Sequence, residues 1–165
     1  MLALKNTGIY LTEGEQMLRY QENNELHRDF HGTTNTTLDY IAENYGVDAL
    51  KGILQDTGEK VYKSIHDKLA AGDASELLEH LNWFYFREGA KYQLSVNPDE
   101  IILEVFECPA IRHLKKMGLK ISEYACLQTS EVNAGMCKNT QWESSVEVLE
   151  EGHCIQTFRR KGCGK

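Results

Sequence analysis

Cys108 stands where a strand hands over to a helix, in Ile101-Ile102-Leu103-Glu104-Val105-Phe106-Glu107-Cys108-Pro109-Ala110-Ile111-Arg112-His113-Leu114. The β-branched and aromatic residues before it suit a half-buried pleated surface. Pro109 suits the first helical position, where a missing N–H costs nothing and φ is already set. Cys108 is then at or next to the helix N-cap. Free backbone N–H groups and the positive end of the helix dipole favour thiolate there, as a nucleophile or a metal ligand requires. The competing reading is a small buried hydrophobe that closes the strand, a common use of free cysteine.

His27 and His31 form the second group with chemistry in it. They stand four apart in Leu26-His27-Arg28-Asp29-Phe30-His31-Gly32, so on a helix they share a face. That spacing allows two imidazoles on one metal, although the Glu that follows the first His in the zinc-protease helix is missing. Asn35 continues the face by one turn. Gly32 and the small hydroxyl residues up to Thr37 permit something to approach closely. The plain alternative is a pair of solvent-facing histidines. If the two groups meet, the site takes one of two forms. Zinc is held by His27, His31 and Cys108, or the metal-free Cys108 uses His31 or His27 as its base.

Three further residues are candidates for substrate contact: Asn35, Glu104 and Cys126. Cys126 and Cys137 are about 16 Å apart along one expected helix at ~1.5 Å per residue, so at most one belongs to a site. Cys126 is preferred, because it follows more directly from the Cys108 helix; core packing is its alternative. Glu104 alternates onto the strand face of Ile102, Phe106 and Cys108. An inward carboxylate would have a raised pKa and could serve as acid or base; on a solvated face it is a surface residue. His113 and His153 have no partner legible in the sequence. Trp83-Phe84-Tyr85-Phe86 reads as core rather than a substrate box. No Gly-rich phosphate loop, nucleophile elbow or dinucleotide fingerprint occurs.

The elements that must position these residues follow from periodicity. Residues 1–22 read as an arm with a short helix. A helical half follows, over 23–89. In it, Leu26, Phe30, Thr34, Thr37, Leu38, Ile41 and Tyr45 form one stripe over 23–45. A kink or break at Gly32 and the threonines is one option there. Leu50, Ile53, Leu54, Thr57, Val61, Ile65 and Leu69 form a second stripe over 47–71. A third helix starts at Asp73, with Glu76 in a capping-box position. Residues 90–160 form a sheet-and-helix half. A hairpin over 90–108 turns at Asn97-Pro98-Asp99-Glu100, and two helices follow, the second over 122–138. A hairpin over 141–160 turns at Glu150-Glu151-Gly152-His153. Residues 161–165 are a mobile tail. Short turns make neighbouring strands antiparallel, so the expected class is α+β. N-terminal helices pack on a four-stranded antiparallel sheet, with two helices inserted between its hairpins, in a single domain.

Composition sets the bounds. A chain of 165 residues can bury a proper core. A net charge of −7 argues against a nucleic-acid partner. No apolar run reaches membrane-span length and no signal-peptide core is present, so a cytoplasmic location is expected. The five cysteines are odd in number and include no Cys-x-x-Cys pair, which argues against a disulfide framework or a zinc knuckle. The expected partner is a small molecule, and pairing with a second copy as a homodimer stays open.

The run from Glu107-Cys108-Pro109 through Cys126 to Gly152-His153-Cys154-Ile155-Gln156-Thr157-Phe158 resembles the L-2-amino-thiazoline-4-carboxylic acid hydrolase-like family. His27-Arg28-Asp29-Phe30-His31-Gly32 resembles a segment of such proteins. More distantly, the closing half is similar to 4-vinyl reductase-type small-molecule-binding domains. Phe158 lies four residues beyond Cys154 rather than two, and Leu149-Glu150-Glu151 stands where zinc-binding members carry an extra cysteine, so their zinc site is not carried over. The resemblance implies hydrolytic opening of a small sulfur heterocycle, with Cys108 as nucleophile or ligand. The expectation is a hydrolase for a C–N or C–S bond of a small heterocyclic or amino-acid-like molecule. The alternatives are a non-catalytic small-molecule sensor and a plain interaction domain.

Overall fold

A computed structural model describes residues 29–162. The arm, His27 and Cys163 lie outside the described residues. The first elements are helices: α1 (Asp29–Tyr45), α2 (Val47–Asp56), a π-helical turn (Thr57–Val61), α3 (Lys63–Ala70) and α4 (Ser75–Arg87). The hairpin β1 (Lys91–Asn97) and β2 (Glu100–Glu107) follows, then α5 (Pro109–Lys116), α6 (Ala125–Cys137), and the hairpin β3 (Trp142–Glu150) and β4 (His153–Arg160).

The four strands form one antiparallel sheet in the order β1-β2-β4-β3. The two hairpins join through β2 and β4, with Leu103 opposite Gln156 and Val105 opposite Cys154. This is the α+β architecture expected, with α5 and α6 between the hairpins in sequence. Alternation decides which face is dry. Ile101, Leu103 and Val105 are buried, and Phe158 meets them from β4.

Two cores share α6. Ile65, Leu69, Leu77, Leu81, Tyr85, Met136 and Cys137 pack on the dry face of the sheet with Trp142. Leu38, Ala42, Leu50 and Leu54 join α1 to α2, with Tyr124, Leu127 and Val132 packed against them. A helix between two cores has no polar side to spare, and α6 buries Asn133, Gly135, Met136 and Cys137 together.

Several expectations are corrected. The helix expected over 47–71 is interrupted by the π turn and by a break at Tyr62. The cause is close backbone packing: a Cβ on Gly58 would lie 2.2 Å from Val132 O, and one on Gly135 would lie 2.1 Å from Gln55 O. The third helix has Ala74 at its N-cap, not Asp73. Asp73 Oδ1 instead accepts the Ser75 N–H at 2.9 Å, so no capping box with Glu76 forms. α1 runs unbroken from Asp29, and Phe30 and Tyr45 of its expected stripe are exposed. Trp83 and Phe86 are also exposed rather than core. Among the described residues no helix is long and apolar enough to cross a membrane.

Candidate functional site

Cys108 follows β2 in extended backbone (φ −65°, ψ 122°), and Pro109 opens α5. Its N–H donates to Gly152 O at 2.8 Å, which fastens the helix start to the β3–β4 turn. Its carbonyl accepts the Arg112 N–H at 2.9 Å, while its thiol makes no capping bond. Arg112 fastens the same helix to the end of α4, donating at 3.0 Å to both Gly89 O and Glu88 O.

The thiol borders a partly enclosed cavity of about 80 Å³, room for roughly five water-sized groups. α1 supplies His31, Thr34 and Asn35 to its wall; α6 supplies Cys126, Gln128 and Thr129; the sheet supplies Val105, Val146, Cys154 and Gln156. Tyr85 of α4 and the turn residues Glu150, Gly152 and His153 complete much of the rest. Among the described residues no Lys or Arg lines it. Arg112 and Lys115 instead edge a shallower groove on the other side of Cys108.

His31 and Cys108 therefore share one cavity. His31 Nε2 lies 3.0 Å from Glu88 Oε2, with the two side chains only 10% and 8% exposed. A carboxylate accepts, so Nε2 carries the hydrogen and Nδ1 of the neutral ring holds the lone pair. The ring of His113 stands 5.7 Å from that of His31.

Cys126 and Cys154 face the same space as Cys108, and Cys137 is buried in the core. Burial, then the neighbouring Cys108, pushes the Cys154 thiol up to about 11. Burial and the same neighbour also raise Cys126. Thiolates repel, so these two sulfurs stay protonated beside the third.

Asn35 lines the cavity, but its amide is committed. Nδ2 donates to Lys120 O at 3.0 Å, and Oδ1 accepts the Ser122 N–H at 2.8 Å. It braces the loop before α6 and thereby delays that helix to Ala125. Glu104 lies on the outer sheet face, away from the buried Leu103 and Val105, and outside the cavity wall. It pairs with His153, whose Nε2 lies 3.0 Å from Glu104 Oε1. This corrects the inward placement, because β2 turns Glu104 opposite to the face that packs.

Zinc does not fit the described donors. Among the described residues no group of three His, Cys, Asp or Glu side chains could hold a metal ion. His31 Nε2 faces Glu88, and the third expected ligand, His27, lies outside the described residues.

Glu88, Tyr85, Gln156 and Asn133 carry no legible sequence motif, and only Gln156 leaves a trace. It alternates with Cys154 and Phe158 on an otherwise apolar strand face. Its Nε2 donates to Tyr85 Oη at 2.6 Å and its Oε1 accepts from Asn133 Nδ2 at 2.9 Å.

No protein-family model matches the chain, and a search of curated proteins finds no match.

Proposed function

We propose that the protein is a small cytosolic hydrolase that attacks a C–N or C–S bond of a small heterocyclic or amino-acid-like molecule through Cys108. One observation carries the reading: Cys108 at a helix start shares a cavity with His31, which is backed by the buried carboxylate of Glu88. A nucleophile, a base and a group that orients the base is the general pattern of activated thiols. His31 Nδ1 takes the thiol proton, and Glu88 holds the ring in the tautomer that leaves Nδ1 basic. The resemblance to the thiazoline-carboxylate hydrolases is consistent with ring opening at such a thiol.

The test is hydrolysis of 2-amino-thiazoline-4-carboxylate, followed by release of a free thiol. Wild type should turn it over, and Cys108→Ser should not, with an unchanged circular dichroism spectrum. Full activity in Cys108→Ser would sink the nucleophile. If Cys108 and His31 act without metal, a chelator leaves turnover unchanged. One zinc per purified chain would return the argument to His27, His31 and Cys108.

The second reading is a small-molecule sensor. It is favoured by the two thiols that burial keeps neutral and by the apolar remainder of the wall. Ligand affinity that survives Cys108→Ser, without turnover in wild type, would select it.

A further inference from the structure

The hydrogen bonds beneath the cavity have a direction. Asn133 Nδ2 donates to Gln156 Oε1, and Gln156 Nε2 donates to Tyr85 Oη. A phenol has one hydrogen to give and two lone pairs. Because the amide spends its N–H on Tyr85, the tyrosine accepts from below and keeps its own hydrogen. Among the described residues the hydrogen bond given to that hydroxyl is the one it accepts from Gln156. Yet the residue is only 9% exposed, and Tyr85 lines the cavity with Cys108 and His31. A buried donor without an acceptor costs stability unless something else satisfies it.

We infer that Tyr85 is a ligand-facing donor, whose O–H hydrogen-bonds the oxygen or nitrogen doubly bonded to the carbon that Cys108 attacks. This deepens the hydrolase reading and rests on it. It names the substrate class as a small molecule with an uncharged carbonyl or C=N acceptor at its reacting end. The absence of Lys and Arg from the described cavity wall agrees with an uncharged group there. As the S–C bond forms, the π pair of the C=O or C=N bond moves onto its heteroatom. His31 Nδ1 receives the thiol proton. Tyr85 keeps its proton and stabilises the developing negative charge by the hydrogen bond. Burial, opposed in part by the Gln156 bond, raises the Tyr85 phenol well above its ordinary range, so it is a donor at every working pH. Donation from Gln156, itself fed by Asn133, polarises the phenol toward giving its hydrogen.

The experiment compares two reagents on Cys108, read by peptide mass spectrometry. Cys108 attacks 4-nitrophenyl acetate at its carbonyl carbon, forming the S–acyl bond and releasing 4-nitrophenolate, and attacks iodoethane at a saturated carbon, releasing iodide. Only the first reaction puts charge on an oxygen doubly bonded to the attacked carbon, so the ratio of the two rates, taken against wild type, reads that acceptor. Tyr85→Phe should slow acetylation about tenfold and leave iodoethane unchanged. The ring contacts with Phe84 and Tyr92 survive in that variant. Asn133→Leu is the second variant. It frees Gln156 Oε1 to turn and capture the tyrosine hydrogen, so the same selective loss is expected, smaller in size. An unchanged ratio in either variant, or equal slowing of both reagents, overturns the assignment. The nucleophile fails separately: wild-type Cys108 would then react with iodoethane no faster than the same cysteine in the denatured chain.

Discussion

Two imidazole–carboxylate pairs, His31–Glu88 and His153–Glu104, have the same length of 3.0 Å. Their surroundings differ. The first is about nine-tenths buried between α1 and the end of α4, with Oε1 of Glu88 left without a partner among the described residues. The second sits at the sheet's outer face, with side chains 21% and 33% exposed, and Glu150 nearby as a second carboxylate. Water competes for the second pair and is largely excluded from the first. The same two functional groups therefore make a water-shielded, oriented pair in one place and a surface contact in the other.

The sharpest way to break this contrast is kinetic. His31→Ala should lower turnover, or the alkylation rate of Cys108, by about a hundredfold or more, the range of a positioned base. His153→Ala should change either by less than about threefold. Equal effects in a side-by-side assay would erase the distinction. A thermodynamic version comes next. Glu88→Ala should cost about 2–4 kcal/mol in urea unfolding, because it strands a buried imidazole. Glu104→Ala should cost under about 1 kcal/mol.

The β2 register explains why only part of this was legible. Strand and helix types, the two hairpins and Pro109 at a helix start follow from local pattern, which the chain writes plainly. Burial of one strand face does too, yet the choice of face depends on what packs there. Ile102 and Phe106 alternate with Ile101, Leu103 and Val105 on nearly equal apolar terms, and only α3, α4 and α6 decide that the latter turn inward. Glu104 shares the face of Ile102 and Phe106, as its spacing says, and that face is the outer one. The partner of His31 is hidden for another reason: Glu88 stands 57 residues away, at the end of α4 that Arg112 fastens to α5. The long second helix failed at Gly58, since a glycine needed for contact with α6 looks the same in sequence as one that merely weakens a helix.

A smaller effect sharpens the role of burial itself. Cys137 and Cys154 both rise from 9.0 to about 11, chiefly through desolvation. The folded thiols thus keep protons that the unfolded chain releases. Their contribution is complete below about pH 9 and is lost as the pH rises toward 11. Melting temperature should fall by a few degrees across that interval, and Cys154→Ala should flatten the slope. A slope that Cys154→Ala leaves untouched would remove this thiol from the account.

The contact between the π turn and α6 acts as a fulcrum. Gly58 and Gly135 let two backbones touch with no side chain to cushion them, near the far end of α6 from Cys126. Nine residues of stiff helix, about 14 Å at ~1.5 Å per residue, separate that point from the cavity sulfur. A methyl group inserted at either glycine would pry the helices apart and swing the opposite end like a lever arm. Two residues outside the cavity wall thus hold the helix that carries part of it.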